Sequence, residues 1–186
     1  MHVRAMRTED AALVEQMYEK LSDDSMYLRF FSPVTANLAS ALEMNHVGEP
    51  GNTARVALLG GEIVAAARFD VVRPGVAEVA FVVADEHQGR GVGTLLLEHL
   101  AVIARLRGVH TFAAQTLACN PAMLQVFAAA GWDRKVRVDA GTVHTEFSID
   151  PTPASLRAIE HREHHAEAAS VARLLAPHSS SRCTRS

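Results

Sequence analysis

Polar and apolar residues alternate singly over residues 2–7 (HVRAMR), which is the period of a short strand. Thr8 with Glu9 and Asp10 then opens a longer period that brings Leu13, Met17 and Leu21 to one side, as in an amphipathic helix. Ser22-Asp23-Asp24-Ser25 restarts helical spacing through Met26, Leu28, Phe30 and Phe31 as far as Pro33, and a third helix is expected from Thr35 to about Val47. Gly48, Pro50 and Gly51 mark a loop.

From Thr53 the period shortens. TARVALL, a turn at Gly60-Gly61, EIVAAARFDVV, a break at Pro74-Gly75 and VAEVAFVVA predict a three-strand antiparallel meander at the centre of a sheet. Gly91 to Arg107 reads as a helix with Leu95, Leu96, Leu100, Ile103 and Ala104 at core spacings, closed by Gly108. A strand from His110 to Leu117, a helix from Asn120 to Ala130 closed by Gly131, and a hairpin of WDRKVRV and TVHTEFSI joined by Asp139-Ala140-Gly141 complete the pattern before Pro151. Beyond Pro153 a long helix is expected from about Ala154 to Leu175, outside the main core, followed by a disordered 176–186 tail.

With 186 residues, 48% hydrophobic and 21% charged, the chain holds one domain of mixed α/β type with a substantial core. The net charge of −3 argues against a general nucleic-acid binder, because phosphate neutralisation needs a basic excess. Residues 151–186 depart from the rest, with five basic and three acidic side chains and four histidines. Cys119 and Cys183 are too few for a disulfide framework or a four-thiolate metal site, which suits a reducing cytosol. No apolar run approaches the ~18 residues of a membrane span, and the first residues carry no signal-peptide core. A cytoplasmic location, with no membrane partner, is the expectation.

The chemistry concentrates where the apolar strand beginning at Glu78 runs through Asp85-Glu86-His87 into Gln88-Gly89-Arg90-Gly91-Val92-Gly93-Thr94. Alternating glycines let a backbone approach an anion closely. The first-turn N–H groups of the helix they open lack intrahelical acceptors, and the helix dipole adds about half a positive charge there. A pyrophosphate suits such an end. The dinucleotide fingerprint G-x-G-x-x-G fails because Thr94 stands where its third glycine belongs, and the Walker loop fails for want of Gly-Lys-Ser/Thr. The spacing that remains is Gln-x-x-Gly-x-Gly, as Gln88, Gly91 and Gly93.

In that motif, and in the Asn120-Pro121-Ala122-Met123-Leu124 to Ala130-Gly131-Trp132 segment, the sequence resembles the GNAT acetyltransferase superfamily over about residues 2–150. The resemblance implies a central mixed, mostly antiparallel sheet of about six or seven strands flanked by helices, with acetyl-CoA as acyl donor and no metal. It assigns residues 1–150 to an acyl-CoA-binding domain, 151–175 to a helical extension and 176–186 to a tail. Residues 88–94, including Arg90, would cradle pyrophosphate, backbone groups of Val82 and Val83 would pair with the pantetheine arm, and Asn120 would contact the cofactor. LSDDSMYLRFFSP (21–33) further resembles bacterial protein lysine acetyltransferases and the acetyltransferase domains fused to NDP-forming acyl-CoA synthetases, and residues 155–177 resemble the segment that joins the two parts of such fusions. A protein substrate such as an acyl-CoA synthetase follows as the expected partner.

A lysine amine of pKa ~10.4 is neutral in only about one molecule in 2,500 at pH 7, so its attack on a thioester needs a proton acceptor. Glu78, ten residues before Gln88 and flanked by Ala77 and Val79, is the candidate base. Its apolar neighbours are expected to raise its pKa, and the relatives it resembles carry a catalytic Glu on the same strand at nearly this spacing. Alternation alone also reads Glu78 as an ordinary polar residue on a half-exposed strand. Backbone N–H groups near Val82 are expected to polarise the thioester carbonyl. Many relatives place a Tyr four residues before the glycine that ends the last helix, to protonate the leaving thiolate; here that position is Phe127.

Several other features carry weaker signals. Glu86 is a reserve base. Cys119 reads as a small buried thiol at a strand end, or as a nucleophile. His161 and His165 have metal-ligand spacing on a helix, but Glu160, Arg162, Glu163 and Glu167 make the same stretch a solvated charged face. Arg29, with Tyr27, Phe30 and Phe31, borders an acceptor site or simply packs a helix. Two further functions stay open: acylation of a small amine, and a non-catalytic CoA-sensing module that docks on a synthetase.

Overall fold

The computed structural model describes residues 1–157 and 159–161, which form one seven-stranded sheet with helices on both faces. The strands are β1 (His2–Ala5), β2 (Asn52–Leu59), β3 (Glu62–Arg73), β4 (Val76–Val83), β5 (Thr111–Leu117), β6 (Arg134–Asp139) and β7 (Thr142–Ser148). The helices are α1 (Ala11–Glu19), α2 (Asp23–Phe30), α3 (Ala36–Met44), α4 (Val92–Leu106) and α5 (Pro121–Ala129). Strand order is β1-β2-β3-β4-β5-β7-β6. Neighbours run antiparallel except β4 and β5, which the α4 crossover makes parallel. The mostly antiparallel mixed sheet is the one the sequence predicts.

Alternation along the strands divides the core in two. Ala65, Ala67 and Phe69 of β3 and Ala77, Val79 and Phe81 of β4 pack with Leu96, Leu97 and Leu100 of α4 and Phe127 of α5. Ala66 and Val82 face the other way, onto Val14, Met17 and Tyr18 of α1, Met26 of α2 and Ala39 of α3. Each fully buried leucine of α4 contributes about 1.5–3 kcal/mol, so α4 is held to the sheet by packing rather than by helix propensity.

The ends of the elements are set locally. Ser22 and Thr35 cap α2 and α3 by accepting from Ser25 N and Leu38 N. Thr8–Asp10 forms a 3-10 turn rather than the first turn of α1, because the Asp10 carboxylate accepts from Arg7 N at 2.8 Å and from Nη1 and Nη2 of Arg4. The third helix ends at Met44, short of Val47. Residues 153–157 and 159–161 are helical, matching the start of the expected C-terminal helix; the remainder of that helix, His165 and the 176–186 tail lie outside the described residues. No helix among the described residues is long and apolar enough to cross a membrane.

Candidate active site

β4 and β5 pair only over Val76–Glu78 and Thr111–Ala113. β4 nevertheless continues to Val83 and stays paired with β3 throughout, out to Val83 against Ala65. Its other edge, from Val79 onward, therefore diverges from β5 and leaves main-chain groups open toward the β4–α4 junction. An open strand edge is a ready template for another amide-bearing chain.

The strand feeds a 3-10 turn at Asp85–His87 and then α4. Gly89 and Gly91 sit at φ +68° and +78°, the left-handed region where a side chain is strained, and the space a β-carbon would fill is open at both. Gly91 is the N-cap of α4 and no side chain caps the helix, so its first-turn N–H groups have no side-chain acceptor. Open space, uncapped amides and the positive end of the dipole together fit a diphosphate. A cavity of about 300 Å³ lies beside this turn, the size of a slender arm rather than of a whole nucleotide cofactor. Val82, Val83, Gln88, Gly89, Gly91, Val92, Gly93, Thr94 and Asn120 all line it. Arg90 is exposed and outside the lining, so the sequence motif places it in the loop without bringing its side chain to the cavity.

Asn120 is buried, and its Oδ1 caps α5 by accepting from Met123 N at 3.0 Å, which leaves its amide hydrogens for other partners. Gln88 Nε2 lies 3.1 Å from Val83 O, 2.9 Å from Asp85 Oδ1 and 3.2 Å from Ser25 Oγ, and two hydrogens serve these three acceptors. Gln88 thus ties the turn to the end of β4. Asp85 extends the tie by accepting from Ser22 N at 2.8 Å and from the Ser25 hydroxyl, which pins the start of α2 across the cavity mouth. Burial raises the Asp85 carboxyl, but the bonds from Ser25 and Ser22 outweigh it and hold the group below the usual aspartate value.

Helix α2 brings Ser25, Leu28 and Arg29 to the cavity wall. Behind Arg29 lies a charged cluster that joins three helices to the sheet. Glu43 of α3, 2% exposed, accepts from Tyr18 OH at 3.0 Å, pairs with the Arg29 guanidinium and stands 3.5 Å from Arg68 of β3. Arg68 also pairs with Asp70. Burial pulls Arg29 down, but Glu43 and Tyr18 more than offset it and keep the cation above the ordinary arginine value. Burial, reinforced by Glu43, pushes the Tyr18 phenol well above its usual range. Of this cluster the sequence reading singles out only Arg29, because its members are scattered between positions 18 and 70 and no local spacing joins them.

Glu78 stands at the point where β4 and β5 part, opposite Asp70 on β3 and Ala113 on β5. Alternation puts it on the same face as Val82, four residues and roughly 13 Å away along the strand. It is exposed and does not line the cavity, so the apolar enclosure expected from Ala77 and Val79 is not what surrounds it: those side chains point through the sheet into the opposite core. The nearby cation is Arg68, which the Glu78 carboxylate helps keep charged although burial, the larger effect, pulls Arg68 down. Glu86 is an exposed turn residue away from the lining.

Two further expectations are resolved by burial. Cys119 is exposed rather than buried, because the chain leaves the sheet after Leu117 and turns at residues 118–119 before Asn120 starts α5. Phe127 is in the core, edge-on to Phe81 and 5.3 Å from Phe147, and does not reach the cavity. The lining residues that sequence reasoning missed, Met123 and Val126 among them, follow from the i, i+3 face of α5 that opens beside Asn120.

Comparison with known proteins bears on the family and the fold. Residues 14–132 match the acetyltransferase (GNAT) family. Acetyltransferase Pat of Mycolicibacterium smegmatis is 37% identical over 141 residues, covering 71% of this chain and 40% of that protein. The chain thus spans about two fifths of that relative's length. An acetyltransferase of Pseudomonas aeruginosa is 29% identical over 136 residues, or 70% of this chain and 73% of its own. The crystal structure of the GNAT domain of S. lividans PAT superposes with a TM-score of 0.71 at 38% identity, covering 78% of this chain and 89% of that one.

Proposed function

The chain belongs to the acetyltransferase (GNAT) family, and from that premise we propose that it transfers an acetyl or short acyl group from acetyl-CoA to the ε-amine of a protein lysine, with Glu78 as general base. The observation that carries the reading is the open edge of β4, which begins just past Glu78 at Val79 and runs to Val83 and directly into the uncapped glycine turn. One strand thereby supplies the base, the amides for an extended acyl-bearing arm and the approach to the diphosphate. Likeness to the two PAT-type proteins supports a protein acceptor, and an acyl-CoA synthetase is the proposed partner.

Residues 88–94 hold the diphosphate, with Gly89 and Gly91 giving the approach and the first-turn amides of α4 the hydrogen bonds. Of the expected pair Val82 and Val83, Val83 presents main-chain groups to the pantetheine arm while Val82 lines its wall, and Asn120 offers its free amide hydrogens from the opposite wall. A main-chain N–H of β4 near Val82 polarises the thioester carbonyl, a stabilisation that grows as charge develops on oxygen. The groups of Phe81 and Val83 face the open edge, whereas Val82, paired with Ala66, is turned to β3, as is Ala84 N, which bonds to Val64 O. Glu78 is too far along the strand for direct contact with a group bound at Val82, so it takes the amine's proton through intervening water. Its exposure leaves room for that water and for a lysine arriving from solvent.

The test is CoA release from acetyl-CoA with a lysine-bearing synthetase as acceptor, run on the wild type and Glu78→Gln, with calorimetric titration of acetyl-CoA on both. Glu78→Gln is expected to lower turnover by about 10²–10⁴-fold and to leave cofactor affinity within a few-fold. Equal turnover would remove Glu78 from the mechanism. Tight acetyl-CoA binding by a wild type that acylates no lysine would overturn the acceptor assignment.

A further inference from the structure

The α3–β2 loop, the β1–β2 edge and the end of α4 enclose a second depression that shares no lining residue with the acetyl-CoA cavity. Met6, Gly48, Glu49, Gly51, Arg55 and Arg107 are among the residues around it. Arg107 is held in place, its Nη1 donating to Asn52 O at 3.0 Å and to Thr53 Oγ1 at 2.7 Å. Arg55 extends from β2, opposite Ala5 of β1, and its Nε is buried without a hydrogen-bond partner.

The charge at this place is one-sided. Burial, with Arg107 adding to it, draws Arg55 below the ordinary arginine value, and burial with Arg55 does the same to His99 on α4. Among the described residues neither arginine has an ion-paired acid, and the exposed Glu49 on the rim pairs with neither. Three other part-buried arginines face acids, Arg4 with Asp10, Arg29 with Glu43 and Arg68 with Asp70, and a fourth, Arg105, donates to Ile149 O. Among the described residues Arg55 is part-buried with neither, beside the exposed Arg107. Two neighbouring guanidinium groups, one anchored and one with an unmet donor, lack a counter-charge that a planar, bidentate acceptor supplies.

We propose that Arg55 and Arg107 form a binding site for a small oxyanion, a phosphate or a carboxylate group, at the α3–β2 loop and separate from the acetyl-CoA cavity. The anion spans the two guanidinium groups through their Nη–H donors, next to the buried, unpartnered Nε–H of Arg55. Arg107 keeps its bonds to Asn52 and Thr53 and so sets the position of the anion. The remaining donors of both forks match either oxyanion, so phosphate esters and carboxylates are alike candidates by chemistry.

Arginine side-chain N–H signals of the full-length protein provide the test, with inorganic phosphate and succinate each titrated against sodium chloride at matched ionic strength. The expected result is a saturable shift of the Arg55 Nε–H signal with at least one of the two anions and none with chloride. Arg107→Gln, read on the Arg55 signal, and Arg55→Gln, read on the Arg107 side-chain signal, should each weaken that binding about tenfold or more, the effect of losing a charge-assisted hydrogen bond. Gly91→Asp, which blocks the diphosphate turn, should leave it intact. A response to phosphate alone assigns the site to phosphate esters, and a response to succinate assigns it to carboxylates. If the Arg55 signal fails to saturate with both anions, or if Gly91→Asp abolishes the effect, no such site exists.

Discussion

A β-carbon on Gly93 would stand 3.2 Å from Cε2 of the Phe81 ring and 3.3 Å from Cγ2 of Val126. The missing side chain lets the first turn of α4 settle onto the end of β4, which is what brings uncapped helix amides beside the open strand edge. Phe81 cannot easily yield, since its ring packs edge-on against Phe127 inside the core. Gly93→Ala should gain at most ~1 kcal/mol of helix propensity and lose about 1–3 kcal/mol to overpacking, a net destabilisation on the order of 1 kcal/mol. Urea unfolding measures it; an equal or higher midpoint would mean that the ring gives way without cost.

Glu43 is the single carboxylate between the Arg29 and Arg68 guanidinium groups, and it also accepts from Tyr18. Replacing it with Ala strands the Arg29 cation, leaves Arg68 with Asp70 alone, and removes the only acceptor of the Tyr18 hydroxyl among the described residues. A loss of about 3–5 kcal/mol is expected. Glu43→Gln keeps an acceptor for Tyr18 but not the charge, and should fall between Ala and wild type. Because Arg29 forms part of the cavity wall, both variants should also raise the KM for acetyl-CoA. A stability loss under ~1 kcal/mol for the Ala variant would show that water replaces the carboxylate.

Asp10 makes the N-terminal segment sensitive to acid. The Arg4 side chain, through bonds of 2.6 and 2.7 Å, outweighs burial and holds the Asp10 carboxyl below the ordinary aspartate value, with Arg7 N–H helping. A depressed folded-state pKa gives stability that is fully present above the unfolded value of ~3.9 and disappears as pH falls through the folded value. Asp10→Asn should therefore cost about 1–3 kcal/mol near neutrality, with the gap to wild type closing below about pH 4. Unfolding midpoints measured from neutral to acidic pH check this. A gap that stays constant down to the acid limit would assign the loss to geometry instead of charge.

What the sequence makes legible is what local spacing encodes. The alternation of β3 and β4, the glycines at 89, 91 and 93 and the leucines of α4 each lie within one element, and the strand end and glycine turn they define supply about half of the cavity lining. The departure of β4 from β5 after Glu78 is a matter of register between strands, on which the periodicity of either strand is silent. The same holds for the insertion of β7 between β5 and β6, since a hairpin reads identically whichever arm meets the sheet. Glu43 looks like a solvent-facing residue on an amphipathic helix, and only the convergence of Tyr18, Arg29 and Arg68 makes it internal. Glu78 fails in the opposite sense. Its neighbours are apolar in sequence but belong to the other face of the sheet, so they do not enclose it.

Phe127 stands where the resemblance to acetyltransferases leads one to expect a proton-donating tyrosine, yet its ring lies between Phe81 and Phe147 and is 5% exposed. A hydroxyl added there enters an aromatic cluster. Without a partner it should cost about 1–3 kcal/mol. The chemical benefit is small on the same geometry, because the ring is not part of the cavity wall and a thiol of pKa ~8.5 already leaves readily. Phe127→Tyr should therefore lower the unfolding midpoint and change kcat by no more than a few-fold. A rise of about 10²-fold, the usual scale of general-acid assistance, would require the hydroxyl to reach the departing sulfur and would make proton donation, rather than amine deprotonation at Glu78, the step that limits the native enzyme.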